Sequence, residues 1–378
     1  MTTRREFLIA GSAAALPFIN RGRFRLFPGG AEYSARCVAL VERAVVIDML
    51  SPLTLNFELQ NRWNADPELF GETEFQRFRS SGINVFHTAV GFGGPGAYQT
   101  ALKYFLAGNA LIAGRGEYFM RIDSAADLGR IKASGRIGVL LGAQNSDHFT
   151  SPEAVAEFHA AGQRISQLTY NSRNWIGNGS TERRDEGISD YGAEIVARMN
   201  VVGMAVDVSH CGDRTSLDAF ELSKKPVLVT HSNARALNPG HPRCKPDEVI
   251  RAVGRAGSVM GITGVRNFVT TREPTTVEHL LDHYDYVARM IGVEHLGIGS
   301  DIDLDGYDDM PPAAYQSLKA GYKGSYAFRD KIDIDEVAHP KRVYDLTEGL
   351  IRRKYSDADI LGMLGGNFQR VLGEIWGR

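Results

Sequence analysis

Cysteine is scarce in this chain. Cys37, Cys211 and Cys244 form no paired framework and no CxxC motif, so disulfides do not organise the fold. Cys211 follows a histidine but reads as a small packing residue. An excess of charge is also lacking. Lys plus Arg number 43 against 45 for Asp plus Glu, and a net charge of −2 gives no general electrostatic grip on nucleic acid. The apolar run at 9–19 is too short to span a bilayer. No linker, composition break, internal repeat or low-complexity tract divides the chain, which reads as one domain over 31–378. What is present is 43% hydrophobic residues and 41 glycines in 378, enough for a large core with frequent turns.

The N-terminus reads as an address. Thr2-Thr3-Arg4-Arg5-Glu6-Phe7-Leu8 precedes the alanine-rich run at 9–19, a pattern similar to a twin-arginine export signal over 1–30. The expectation is a periplasmic or otherwise exported protein that meets the twin-arginine machinery. No Ala-x-Ala cleavage site follows.

Beyond it, short apolar runs rich in β-branched residues alternate with helical stretches. Strands are expected at 44–49, 83–90, 137–144, 165–170, 204–210, 227–232, 258–263 and 296–301. Helices are expected at 31–43, 75–81, 98–113, 124–134 with Ser124 as N-cap, 152–162, 192–200, 212–225, 246–255 and 276–291. Two more, 342–355 and 357–376, close the chain. Eight strands alternating with helices imply an α/β fold, a (β/α)8 TIM-like barrel with C-terminal helices. A long polar loop runs over 171–190, and the aromatic-rich excursion 302–338 reads as a loop-rich lid over the barrel mouth or as a surface excursion.

Two strands end on histidine. The fifth stops at His210 and the sixth reaches His231, and strand C-termini in such barrels point into the mouth where ligands bind. Two imidazoles converging there suit a zinc-like ion better than two separate strand caps.

Around these histidines the chain resembles the membrane dipeptidase family of metallopeptidases, in the amidohydrolase superfamily. The resemblance rests on Tyr191-Gly192, Arg198-Met199-Asn200, Gly203-Met204-Ala205-Val206-Asp207-Val208-Ser209-His210 and Ser223-Lys224-Lys225-Pro226-Val227. It continues through Thr230-His231-Ser232-Asn233-Ala234-Arg235, His241-Pro242-Arg243, Gly297-Ile298-Gly299-Ser300-Asp301 and Leu364-Gly365-Gly366-Asn367. It implies His210 and His231 as metal ligands, Asp301 at the eighth strand tip, and Arg243 as the group that grips a substrate carboxylate. Homodimers are a further family expectation.

Three family positions differ. Leu50 and Pro52 stand where the first strand should end in His-x-Asp, Gln144 replaces the bridging glutamate, and Tyr170 replaces a histidine that polarises the substrate carbonyl. A neutral amide bridges two cations poorly. With Asp301 as the remaining family carboxylate, the charge count favours one ion over two, held by His210 and His231 with Gln144 or Asp301 as third ligand. Tyr170 keeps a hydroxyl able to donate to an oxyanion.

The implied activity is hydrolysis of dipeptides or similar small N-acyl amino acids. One divalent metal, zinc by this reading, activates water and Asp301 carries its proton. Two alternatives stand beside it: a single-metal hydrolase of a lactone or N-acetyl compound, and a metal-free barrel that binds a small carboxylated ligand. Among nearby groups, Asp303 and Asp305 read as a solvated acidic turn, and Asp147 with His148 as a turn toward the Ser151 cap. His87 reads as a core histidine, with a proton carrier at the mouth as the alternative.

Overall fold

The structure, a computed structural model, describes residues 22–26 and 31–377. Most of the expected export segment lies outside the described residues. Within it, Arg23–Arg25 forms a short antiparallel ribbon with Glu32–Ser34. That ribbon shortens the first expected helix, which begins at Ala35 because the Ser34 side chain caps it by accepting from the Cys37 amide.

Eight parallel strands follow: β1 (Ile47–Asp48), β2 (Val85–Val90), β3 (Ile137–Ala143), β4 (Ile165–Gln167), β5 (Ala205–Asp207), β6 (Val229–Ser232), β7 (Met260–Ile262) and β8 (Leu296–Ile298). Each lies within the range expected from its apolar run. They pair in the order β5-β4-β3-β2-β1-β8-β7-β6. The bridge between Asp207 and Leu228 joins β5 to β6 and closes the (β/α)8 barrel.

Alternation along the strands sends Ile47, Val85, Leu140, Ile165, Ala205 and Leu228 into one buried cluster. The terminal helix Asn367–Trp376 adds Phe368, Val371, Leu372 and Ile375 to it, with the Phe368 ring filling the space that Gly297 leaves open. The helices on the outside of the strands bury a second, larger cluster. The expected closing helix 357–376 is interrupted by a π turn at Gly362–Gly366, where Gly365 sits against the backbone of Val45 and Ile47.

Several elements escape the sequence pattern. Phe119–Arg121 adds a strand beside the start of β3, and Phe57–Ala65 and Pro312–Ala320 are helices. The excursion after β8 is a lid. Tyr326 and Ile332 bury against Cys244, Val265 and Phe268 of the barrel loops, and Tyr307, Leu318, Tyr322 and Phe328 pack around them.

Candidate metal and substrate site

The tips of β5 and β6 bring His210 and His231 together, both fully buried, with their Nε2 atoms 2.9 Å apart. Partner chemistry fixes where the ring protons lie. His210 Nδ1 is 2.8 Å from Asn171 Oδ1, an oxygen that only accepts, so Nδ1 carries the hydrogen. The Asn171 amide also bonds Tyr326 of the lid.

For His231 the chain is longer. The Asp207 carboxylate accepts from Ser209 Oγ at 2.6 Å and from Thr230 Oγ1 at 2.7 Å, which uses both hydroxyl hydrogens. Thr230 Oγ1, 2.8 Å from His231 Nδ1, is therefore left to accept, and His231 also carries its hydrogen on Nδ1. Both Nε2 lone pairs then face each other. Burial and the nearby Arg243 charge hold both imidazoles well below their ordinary pKa, so neither ring is charged. Two bare nitrogens at this separation repel unless a proton or a cation lies between them, and imidazoles held by their other ring N–H are the usual form of metal-bound histidine.

Close backbone packing supports the pair. At Gly261 of β7 and at Gly299, a side chain would meet the Thr230 carbonyl. Arg243, fully buried, donates from one terminal nitrogen to the Ser209 carbonyl and from the other to the His231 carbonyl at 3.2 Å. It thereby ties the two histidine-bearing tips together. Its guanidinium lies 5.1 Å from the Phe268 ring centre, and its Nε has no hydrogen-bond partner.

A cavity of about 50 Å³ opens beside His210. Gln144, Tyr170 and Asp301 line it from the strand tips, and Tyr307, Tyr322 and Tyr326 line it from the lid. Arg243 is not among the lining residues; the structure places it behind the histidines. The Tyr170 ring stacks on His210 at 4.2 Å, and its hydroxyl is 2.6 Å from that of Tyr322. Gln144 donates its amide nitrogen to the Ala89 carbonyl at 2.9 Å, leaving its oxygen as a possible ligand.

Asp301 adopts φ 61°, a left-handed conformation uncommon for a non-glycine residue, with its N–H on the Leu50 carbonyl at 2.8 Å. Burial pushes its carboxyl up to about 7, opposed by Arg243. Among the described residues no three His, Cys, Asp or Glu side chains converge as a metal site. The groups that could serve a metal here are the two imidazoles, with Gln144 and Asp301 lining the same cavity as His210. At the first strand tip the buried apolar Leu50 and the ring of Pro52 supply no ligand.

The neighbouring groups have other roles. Asp303 is buried rather than solvated: its carboxylate accepts from the amides of Leu55, Asp305 and Gly306 and folds the turn after β8. His87 is buried in the barrel beside Gly142, donates Nδ1–H to the Met49 carbonyl at 2.6 Å, and leaves Nε2 without a partner. His148 is buried among aromatic rings and bonded through both ring nitrogens.

Asn171, Thr230 and Asp207 orient the histidines and were not singled out from the sequence. Their signal is local, since a hydroxyl residue precedes each histidine, as Ser209-His210 and Thr230-His231.

Comparison with known families matches residues 34–318 to Membrane dipeptidase (Peptidase family M19). The chain belongs to this family. It is a family of metallopeptidases, and a divalent metal is implied by membership. The dipeptidase verJ of Clonostachys rogersoniana is 30% identical over 265 residues, which are 67% of this chain and 65% of that protein. The dipeptidase aclJ of Aspergillus oryzae is 29% identical over 266 residues, 68% of this chain and 57% of its own length. The matched region thus spans less than two thirds of these curated relatives.

Among solved structures, an amidohydrolase from Pseudomonas aeruginosa superposes with a TM-score of 0.78 at 29% identity, over 90% of this chain and 99% of its own. A metallo peptidase from Rhodobacter sphaeroides, liganded with a phosphinate mimic of the dipeptide L-Ala-D-Ala, shares the fold with a TM-score of 0.70 at 18% identity, over 88% and 99% of the two chains.

Proposed function

We propose that this chain is a dipeptidase-like hydrolase that cleaves the amide bond of dipeptides or similar small N-acyl amino acids at a reduced, single-metal site. One observation carries the reading: two neutral imidazoles, their tautomers set by Asn171 and by the Asp207–Thr230 chain, direct bare Nε2 atoms at one another across 2.9 Å. His210 and His231 would hold the ion, zinc by the nitrogen-rich donor set, with Gln144 or Asp301 beside them. Bound there, the ion supplies Lewis acidity that lowers the pKa of water and polarises a carbonyl.

The chain's own groups do the rest. Asp301 lines the cavity with His210, and its carboxylate accepts a proton from water and hands it to the leaving amine. The Tyr170 hydroxyl, released from Tyr322 when substrate enters, donates to the oxyanion. Arg243 places positive charge near Asp301 from behind the histidine pair, where it holds the Ser209 and His231 carbonyls. The lid aromatics exclude bulk water from the cavity.

The test is dipeptide turnover by the zinc-loaded protein and by His210→Ala and Asp301→Ala. Each variant is expected to lose at least about 100-fold in kcat/KM with its circular dichroism unchanged. Unchanged turnover in either variant removes this mechanism.

A further inference from the structure

Beside the metal cavity lies a second and larger opening that the proposed reaction does not use. The loops after β3 and β4 line both, and the loop after β2 lines the second. The β3 loop sends Gln144 into the metal cavity and Asp147 into the second opening, and the β4 loop likewise divides Tyr170 from Trp175. The second opening is a cleft of about 970 Å³.

Its walls are aromatic and acidic. Tyr98, Trp175 and Tyr191 contribute rings, Asp147 and Glu157 contribute carboxylates, and among the described residues no lysine or arginine lines it. Trp175 is 80% exposed, an unusual condition for the largest apolar side chain and one that core packing does not explain. Tyr191 donates its hydroxyl to the Phe149 carbonyl, so its ring is what remains for a ligand. Glu157 accepts from Tyr98 at 2.7 Å with one oxygen. Asp147 accepts weakly through Oδ2, from the Gly94 amide at 3.4 Å and from Asn145 at 3.3 Å. Its Oδ1 is shielded from solvent and has no partner at all. A shielded carboxylate oxygen without a donor costs free energy until a donor arrives. Rings flanking two carboxylates supply the two attractions that organic cations combine, ion pairing and cation–π contact.

We propose that this cleft binds an organic cation, an ammonium or guanidinium group, and serves as a subsite for a basic side chain of the substrate. The second half rests on the dipeptidase-like reading; cation binding itself does not.

The experiment has two arms on the full chain. In the first, tryptophan fluorescence is followed during titration with n-butylguanidinium and with its neutral analogue n-butylurea. Trp175 is the exposed reporter among three tryptophans, Trp63 being buried. The cation is expected to give a saturable change that n-butylurea does not. The change should disappear in Trp175→Phe, and its midpoint should rise at least tenfold in Asp147→Asn and in Glu157→Gln. No saturable response, or an equal response to the neutral probe, overturns the cleft.

In the second arm, kcat/KM is measured for arginine-containing dipeptides against citrulline isosteres. At least tenfold preference for arginine is expected, falling toward unity in Asp147→Asn and Glu157→Gln. Turnover without preference overturns the subsite. Cation binding without turnover of any dipeptide upholds the cleft and overturns the hydrolase reading instead.

Discussion

At the scale of single residues, the site depends on two protons being in the right place. His231 presents a bare Nε2 because Thr230 has already given its hydroxyl hydrogen to Asp207. Thr230→Val keeps the shape and removes that acceptor. The imidazole is then free to move its hydrogen to Nε2, and Asp207 loses one of its donors. Zinc affinity measured by competition with a chelator is expected to fall about 10–100-fold, as for other second-layer partners of metal-bound histidines. Affinity equal to wild type would show that the Asp207–Thr230 chain does not set the tautomer. Arg243 works at the same scale on the backbone, holding the Ser209 and His231 carbonyls from behind the pair.

At the scale of elements, the strands deliver the histidines and the glycines let the strands approach. Gly261→Ala puts a methyl group against the Thr230 carbonyl, so β6 must move away from β7 at the residue before His231. Overpacking of this kind costs about 1–3 kcal/mol. A lower Tm together with weakened zinc binding is expected, and a fully stable variant with wild-type affinity would contradict the packing. The eight strands were legible because each is a buried apolar run bounded by glycine or polar residues. Phe119–Arg121 was not, since its apolar residues lie in a short stretch closed off by Glu117 and Arg121. The lid was only half legible. Tyr307, Tyr322, Tyr326 and Phe328 are spaced irregularly, and what gathers them is the barrel surface around Val265 and Phe268. The histidine pair could be read from strand ends alone. The place of Arg243 could not, because a guanidinium can bond a carboxylate or a pair of carbonyls, and the sequence does not say which lies nearer.

At the scale of the whole molecule, buried neutral histidines couple stability to pH. His283 donates from Nε2 to the Val269 carbonyl at 2.8 Å and accepts the Ala234 amide at Nδ1 at 3.1 Å, so protonation breaks a satisfied arrangement. Burial lowers it to about 4, and His148 and His241 are lowered to about 4 by the same cause. The folded pKa lies below the ordinary 6.5, so the unfolded chain binds the extra proton. The stabilisation is complete above pH 6.5 and is lost as pH falls toward 4. Asp301 and Asp333, raised by burial to about 7 and about 6, act in the opposite sense over part of this window. A difference between variants isolates one group. Urea denaturation of His283→Gln between pH 6 and pH 4.5 is expected to show a slope shallower than wild type by about 1 kcal/mol per pH unit. Parallel slopes would mean that His283 titrates alike in both states.

In the proposed site one divalent ion joins the tips of β5 and β6. Calorimetric zinc titration of chelator-treated protein tests it most directly, on wild type and on His210→Ala and His231→Ala. The account predicts one ion per chain in wild type and none bound with comparable affinity in either variant. Two ions per chain, or one ion that survives loss of either imidazole, would contradict it.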